Sequence, residues 1–156
     1  MVLENGVKAP QFTQLNQSGD EVSLSNFDGK KVLLYFYPKD NTPGCTIQAT
    51  DFTKLNGQFL ELNTVVIGVS KDSVKSHEKF CNKYSLTIDL ISDEDQKIME
   101  SYGVWQEKKL YGRTYMGIVR STYLINEKGA IEKSWTEVKS KGHAEEVLDF
   151  IRKSRE

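Results

Sequence analysis

The feature that most constrains this 156-residue chain is a change of period early in its length. Val32 to Tyr37 is an unbroken apolar and aromatic run between Gly29 and Pro38, the pattern of a strand covered on both faces. From Ile47 onward the apolar residues recur at intervals of three and four, through Phe52, Leu55, Phe59 and Leu62, which marks an amphipathic helix. Thr64 to Val69 is then a second buried strand. Two strands joined through a helix pair in parallel with a crossover, so the chain is committed to an α/β sheet.

The remaining elements extend that sheet. Residues 12–27 alternate loosely about Ser18-Gly19-Asp20 and predict a hairpin. Ser73 to Tyr84 predicts a helix with Val74, His77, Phe80 or Cys81, and Tyr84 on its inner side. A short strand near Ile88–Ile91 follows, then a helix from about Glu94 to Tyr102 stopped by Gly103. Residues 105–117 predict an ordered loop, in which Trp105, Tyr111 and Tyr115 pack around the neighbouring site. Val119–Ile125 and Ala130–Trp135 form a hairpin across Asn126-Glu127-Lys128-Gly129, and His143 starts a final helix to Arg152. Helix-linked strands require parallel pairing and the late hairpin is antiparallel. A thioredoxin-like α/β fold meets both demands: a mixed central sheet flanked by helices, with an N-terminal β-hairpin extension.

No linker divides residues 1–156, so one domain is expected. Lys plus Arg number 21 and Asp plus Glu 22, a balance that leaves no footprint for nucleic acid or an anionic membrane. No apolar run has the length of a membrane span, and the first residues lack a basic segment followed by an apolar one, so the cytoplasm is the expected compartment. Two cysteines do not make a secreted disulfide scaffold, and His77 and His143 complete no zinc-ligand spacing around Cys45 and Cys81. No metal or other cofactor is expected. Buried inert thiols and redox chemistry remain.

Thr42 followed by Pro43 is a helix-start signal, with Thr as N-cap and Pro at the first helical position. Cys45 is then the third helical residue, within the turn whose N–H groups lack helical partners and where the helix dipole favours a thiolate. A cysteine that merely packs at a helix end has the same local sequence.

Pro38-x-x-x-Thr42-x-x-Cys45 resembles the peroxiredoxin signature. The longer stretch Phe36-Tyr-Pro-Lys-Asp-Asn-Thr-Pro-Gly-Cys-Thr is similar to the peroxiredoxin Q, or bacterioferritin comigratory protein, branch. So is Tyr111-Gly-Arg-Thr-Tyr-Met-Gly-Ile-Val-Arg-Ser-Thr-Tyr-Leu-Ile, which places Arg120 where that family has its active-site arginine. The resemblance runs from Val7 to the last helix. It implies a thiol-dependent peroxidase that reduces hydrogen peroxide and organic hydroperoxides. Cys45 would be the nucleophile and become a sulfenic acid; Arg120 and Thr42 would stabilise the transition state; Pro38 would shield the thiolate.

Turnover needs a second thiol. Many members of the family carry one five residues after the nucleophile, where this chain has Thr50. A subset of the branch has its second cysteine on the following helix, as Cys81 is here, 36 residues after Cys45. The resemblance then implies an intramolecular Cys45–Cys81 disulfide recycled by thioredoxin, or alternatively glutaredoxin, in a monomer. Helical spacing fits Cys81 equally well as a packing residue, and an external thiol could attack Cys45 directly. A disulfide needs Cα atoms roughly 4.4–6.8 Å apart, so a bridge between a helix start and the end of a neighbouring helix implies unravelling of the turns after Thr42. His77, one turn before Cys81, is expected as a partly buried structural residue or as a group that tunes Cys81.

Two other functions fit the same fold. A thiol–disulfide oxidoreductase would need a second cysteine where Thr42 stands. A redox sensor or chaperone-like protein would use the same sulfenic acid once, without turnover.

Overall fold

The computed structural model describes residues 2–155. A short antiparallel hairpin, β1 (Thr13–Leu15) and β2 (Glu21–Ser23), leads through a 3-10 turn at Leu24–Phe27 into β3 (Lys31–Phe36). Then come α1 (Pro43–Glu61), β4 (Thr64–Ser70), α2 (Val74–Tyr84), β5 (Asp89–Ser92) and α3 (Lys97–Ser101). The chain ends with β6 (Trp105–Leu110), β7 (Arg113–Ile118), β8 (Ser121–Ile125), β9 (Ile131–Trp135) and α4 (His143–Ser154). Five strands form the central sheet in the order β5-β4-β3-β8-β9. β3 pairs in parallel with β4 and antiparallel with β8, so the sheet is mixed, as the element order required.

β3 takes the middle because every one of its residues is buried. Its side chains alternate between two apolar layers, as strand geometry dictates. Leu33 and Tyr35, with Tyr37 just beyond the strand, face Ala49, Phe52 and Phe59 of α1, Phe80 and Cys81 of α2, and Val147 and Ile151 of α4. Val32, Leu34 and Phe36 face the other way, toward Phe12 and Val22 of the N-terminal segment and Ile98, Met99 and Tyr102 around α3. Among the described residues no helix is long and apolar enough to cross a membrane.

Two sequence expectations are corrected. Residues 105–117 are not a loop but a second hairpin, β6 with β7, paired from Trp105↔Ile118 to Leu110↔Arg113. Tyr111 and Gly112 make its two-residue turn, both at positive φ, which is the backbone that matches strand twist. The strands form a two-stranded sheet of their own and are exposed along most of their length, so no apolar alternation marks them. Tyr111 is 96% exposed and does not pack as expected, whereas Trp105 and the partly exposed Tyr115 do line a cleft beside Pro38, with Trp105 also packed on the core. The helix expected from Glu94 starts later, at Lys97, because Gln96 is in the left-handed region. The buried Asp93 carboxylate accepts instead from the Ile98 and Met99 N–H groups and caps that helix.

Candidate active site

The site forms where β3 ends and α1 begins. The Tyr37 N–H still donates to Val69 O of β4 at 3.1 Å, and Pro38 then turns the chain into a loop. Asn41 holds a left-handed φ of 60°, a conformation Asn tolerates well, and Thr42 is extended at the N-cap with Pro43 as the first helical residue. The Thr42 side chain does not cap the helix, contrary to expectation. Its hydroxyl donates backward to Lys39 O at 2.8 Å. That bond uses the only hydroxyl proton and leaves the Thr42 oxygen as an acceptor.

Cys45, the third helical residue, is 1% exposed and sits in the apolar layer beside Tyr35 and Ala49. Arg120 reaches it from the bend between β7 and β8. Arg120 Nη2 donates to Cys45 Sγ at 3.3 Å, while Nη1 donates to Gln48 Oε1 at 2.6 Å. Gln48 lies one turn after Cys45, is fully buried, and was not singled out by the sequence. A polar residue on the inward stripe Cys45–Gln48–Ala49–Phe52 was the signal that could have found it. Gly44 makes the arrangement possible. A Cβ there would come within 2.8 Å of Ser140 Oγ and 3.3 Å of Arg120 Nη2.

Arg120 is itself held from behind. Its carbonyl accepts from the Val138 N–H at 2.9 Å. His143, the first residue of α4, places Nε2 2.8 Å from Thr122 Oγ1 and Nδ1 3.1 Å from Glu146 Oε1. Burial pushes the His143 imidazole below its usual range, with Glu146 opposing, so the neutral ring donates to Glu146 and accepts from Thr122. Pro38 and Thr42 lie on the loop that leads into α1, and of the predicted site residues Arg120 is the one bonded to Cys45. Pro38 is exposed at the head of that loop.

Cys81 is elsewhere, on α2, buried and unpaired like Cys45. The two thiols share one apolar layer, with Tyr35 among them. The Tyr35 ring stacks on Tyr37 and Phe52, with centroids 5.5 and 4.7 Å away, and needs the missing side chain of Gly68 for room. Burial, then Cys45, Asp40 and Cys81, push its hydroxyl well above the usual range. Burial, then the Asp40 and Asp89 carboxylates, push the Cys81 thiol up to about 12. At neutral pH the closed protein therefore holds Cys81 as an unreactive thiol.

His77 is fully buried rather than partly so. It belongs to a network with Asp40, Tyr37, Ser76 and Asp72. Asp40, Asp72 and His77 bring donor atoms within 4.8 Å of one another, but these atoms are engaged with each other and with nearby hydroxyls, which explains the cluster without an ion.

The profile of the AhpC/TSA family matches residues 5–134, with Cys45 and Arg120 inside the match. The chain belongs to the AhpC/TSA family. It is 49% identical over 149 residues to the putative peroxiredoxin bcp of Helicobacter pylori J99, covering 96% of this chain and 98% of that protein. It is 45% identical over 152 residues to peroxiredoxin Bcp of Bacillus subtilis, covering 97% of each. A cysteine mutant of Xylella fastidiosa PrxQ superposes with a TM-score of 0.95 at 38% identity, over 100% of this chain and 99% of that one. The Xanthomonas campestris bacterioferritin comigratory protein, solved to study its alkyl peroxide reduction, gives 0.92 at 34% identity over 98% and 100%. This peroxiredoxin is therefore of the Q/Bcp branch, a thiol-dependent peroxidase on a thioredoxin-like fold.

Proposed function

We propose that the protein reduces hydrogen peroxide and organic hydroperoxides with Cys45 as the nucleophile. The observation that carries this reading is the fork of Arg120, one nitrogen on the Cys45 sulfur and the other fixed by Gln48. In the attack the Cys45 thiolate forms an S–O bond to one peroxide oxygen and the O–O bond breaks. The departing oxygen takes a proton and leaves as water or alcohol, and Cys45 is left as a sulfenic acid.

Magnitudes assign the larger share to Arg120. A free cysteine of pKa about 8.5 is already about 3% thiolate at pH 7, so complete ionisation gains only about thirtyfold. Nucleophilicity falls as the thiol becomes more acidic, which trims that gain further. A donor aimed at the charge developing on the leaving oxygen is worth about 10²–10³ in rate. The guanidinium fork can meet sulfur and oxygen together, which a lysine ammonium cannot copy. Thr42, with its own proton committed to Lys39, would accept from the peroxide O–H and orient it. Pro38 would shield the thiolate from water.

Cys81 would resolve the sulfenic acid. Its sulfur bonds to that of Cys45, the S–O bond breaks, and the departing hydroxide leaves as water with the proton given up by Cys81. The Xanthomonas campestris enzyme was solved with serine at either of two positions spaced as Cys45 and Cys81 are, which supports treating the two as a pair. Both sites are buried in separate helices, so the first turns of α1 and part of α2 would have to open for the bridge to form. Thioredoxin would reduce the disulfide. We further infer a single-domain monomer in the cytoplasm, in line with a cysteine content that does not make a disulfide scaffold.

The test is peroxide-dependent NADPH oxidation coupled through thioredoxin and thioredoxin reductase. The wild type should turn over many times, whereas a sensor would give one stoichiometric event. Cys45→Ser should fall below about 1% of wild type, since a serine hydroxyl is a feeble nucleophile without a base. Cys81→Ser should give a single burst and then stall as sulfenic acid, with increased overoxidation. Full cycling by Cys81→Ser would assign resolution to the external thiol.

A further inference from the structure

Asp40 is a buried carboxylate that the peroxide chemistry does not use. It lies in the loop between β3 and α1, five residues before Cys45, and its side chain is 4% exposed. Its bonds run away from α1, to the helix that carries Cys81. Oδ2 lies 2.7 Å from His77 Nδ1 and accepts from Ser76 Oγ at 2.8 Å, both on α2. Oδ1 accepts from the Tyr37 hydroxyl at 2.5 Å, and the Asp40 N–H donates to Asp72 Oδ2 at 2.8 Å, just ahead of α2. Its neighbour Asn41 adds two exposed contacts to the far end of α2, accepting from Lys83 Nζ and the Tyr84 hydroxyl. The loop that presents Cys45 is thus fastened along α2.

The protons of the buried contact can be assigned. His77 Nε2 faces Ile91 O at 3.1 Å, an acceptor only, so that nitrogen carries a hydrogen. The 2.7 Å separation of Nδ1 and Oδ2 needs one more proton between them, whether on the ring or on the carboxyl. The contact is therefore a charge-assisted or equivalently strong bond between side chains that are 0% and 4% exposed. Breaking it exposes two polar groups to an apolar interior unless the loop and α2 open together to solvent.

We propose that Asp40 is a positioning residue for the disulfide step: its bond to His77 holds the Cys45 loop and the Cys81 helix closed, and its release sets how fast the two cysteines meet. The proposal rests on the reading of Cys81 as the resolving thiol. The same tie keeps Cys81 buried and protonated until Cys45 has been oxidised. It also fixes the lifetime of the sulfenic acid, because opening competes with a second peroxide molecule for that intermediate.

The test separates the two phases of a single turnover, sulfenic acid formation and disulfide formation, by rapid quench and mass spectrometry on the full chain. Asp40→Ala should speed the disulfide phase by about tenfold, the population shift expected from losing one strong buried bond. It should also lower the fraction overoxidised at high peroxide. In Asp40→Asn the amide can donate to Nδ1 of a neutral His77 and to Ser76 Oγ, while its oxygen still accepts from Tyr37. That variant keeps a neutral bond in place of the charge-assisted one, so its disulfide rate should fall between those of the wild type and Asp40→Ala. If Asp40→Ala does not fold, His77→Leu cuts the same bond from the helix side and should give the same acceleration. An unchanged or slower disulfide phase in Asp40→Ala or His77→Leu would overturn the proposal. So would an Asp40→Asn protein as fast as Asp40→Ala, which would assign the effect to charge. Absence of a Cys45–Cys81 disulfide in the oxidised wild type would instead remove the resolving role of Cys81, and this inference with it.

Discussion

Gln48 holds Arg120 in place: the amide oxygen receives Nη1 at 2.6 Å, and the other terminal nitrogen of the same rigid plane is thereby aimed at the Cys45 sulfur. Gln48 touches no reacting atom, so its contribution is orientation. Gln48→Ala should slow peroxide attack by about tenfold, the loss expected for one hydrogen bond to a charged group. Stopped-flow oxidation of Cys45 checks this. A rate equal to wild type would mean that the bend between β7 and β8 alone fixes the arginine.

Gly44 should tolerate no side chain without cost to the same step. A Cβ would press on Ser140 Oγ and Arg120 Nη2 at 2.8 and 3.3 Å. Ser140 can rotate away, but the guanidinium cannot move without giving up the sulfur or Gln48. Gly44→Ala should therefore leave thermal stability nearly unchanged, since alanine is the better helix former. It should nonetheless lower the attack rate several-fold, by about 1 kcal/mol of lost alignment. Equal losses of melting temperature and rate would point to a general disturbance of α1 instead.

Cys81 should make the fold sensitive to alkali. In the folded protein burial and nearby carboxylates hold its thiol up to about 12. In an unfolded chain a cysteine loses its proton near pH 8.5. Between those values the unfolded state binds fewer protons, so stability falls as pH rises. The contribution is complete below about pH 8.5 and is lost as pH climbs toward 12. Urea denaturation of reduced protein at pH 8 and pH 10 should show a smaller loss for Cys81→Ser than for the wild type. Identical losses would show that Cys81 ionises freely in the folded state.

The central sheet was legible because β3 and β4 are continuous apolar runs and α1 between them has a clear helical period. Cys45 and Thr42 were legible because a proline at the helix start fixes their positions within the first turn. The β6–β7 hairpin was not, since strands exposed on both faces have no reason to alternate, and its turn is Tyr111-Gly112 rather than an Asn-Gly pair. The side-chain direction of Thr42 was also hidden: whether a hydroxyl caps forward or bonds backward depends on the path of the preceding loop. Asp40 and His77 stand 37 residues apart, and no local pattern joins two residues that meet only when the loop after β3 lies against α2.

Pro38 marks a boundary in the protein's dynamics. The ladder to β4 ends on the Tyr37 N–H, and proline, lacking that donor, cannot extend it. Behind this point β3 is bonded on both edges and buried on both faces, so its amides should exchange with solvent only when the whole molecule unfolds. Ahead of it the backbone can let go without loosening a single sheet bond. The enzyme can therefore rearrange its reactive end in every cycle at a cost far below its global stability, with the sheet as a fixed hinge post.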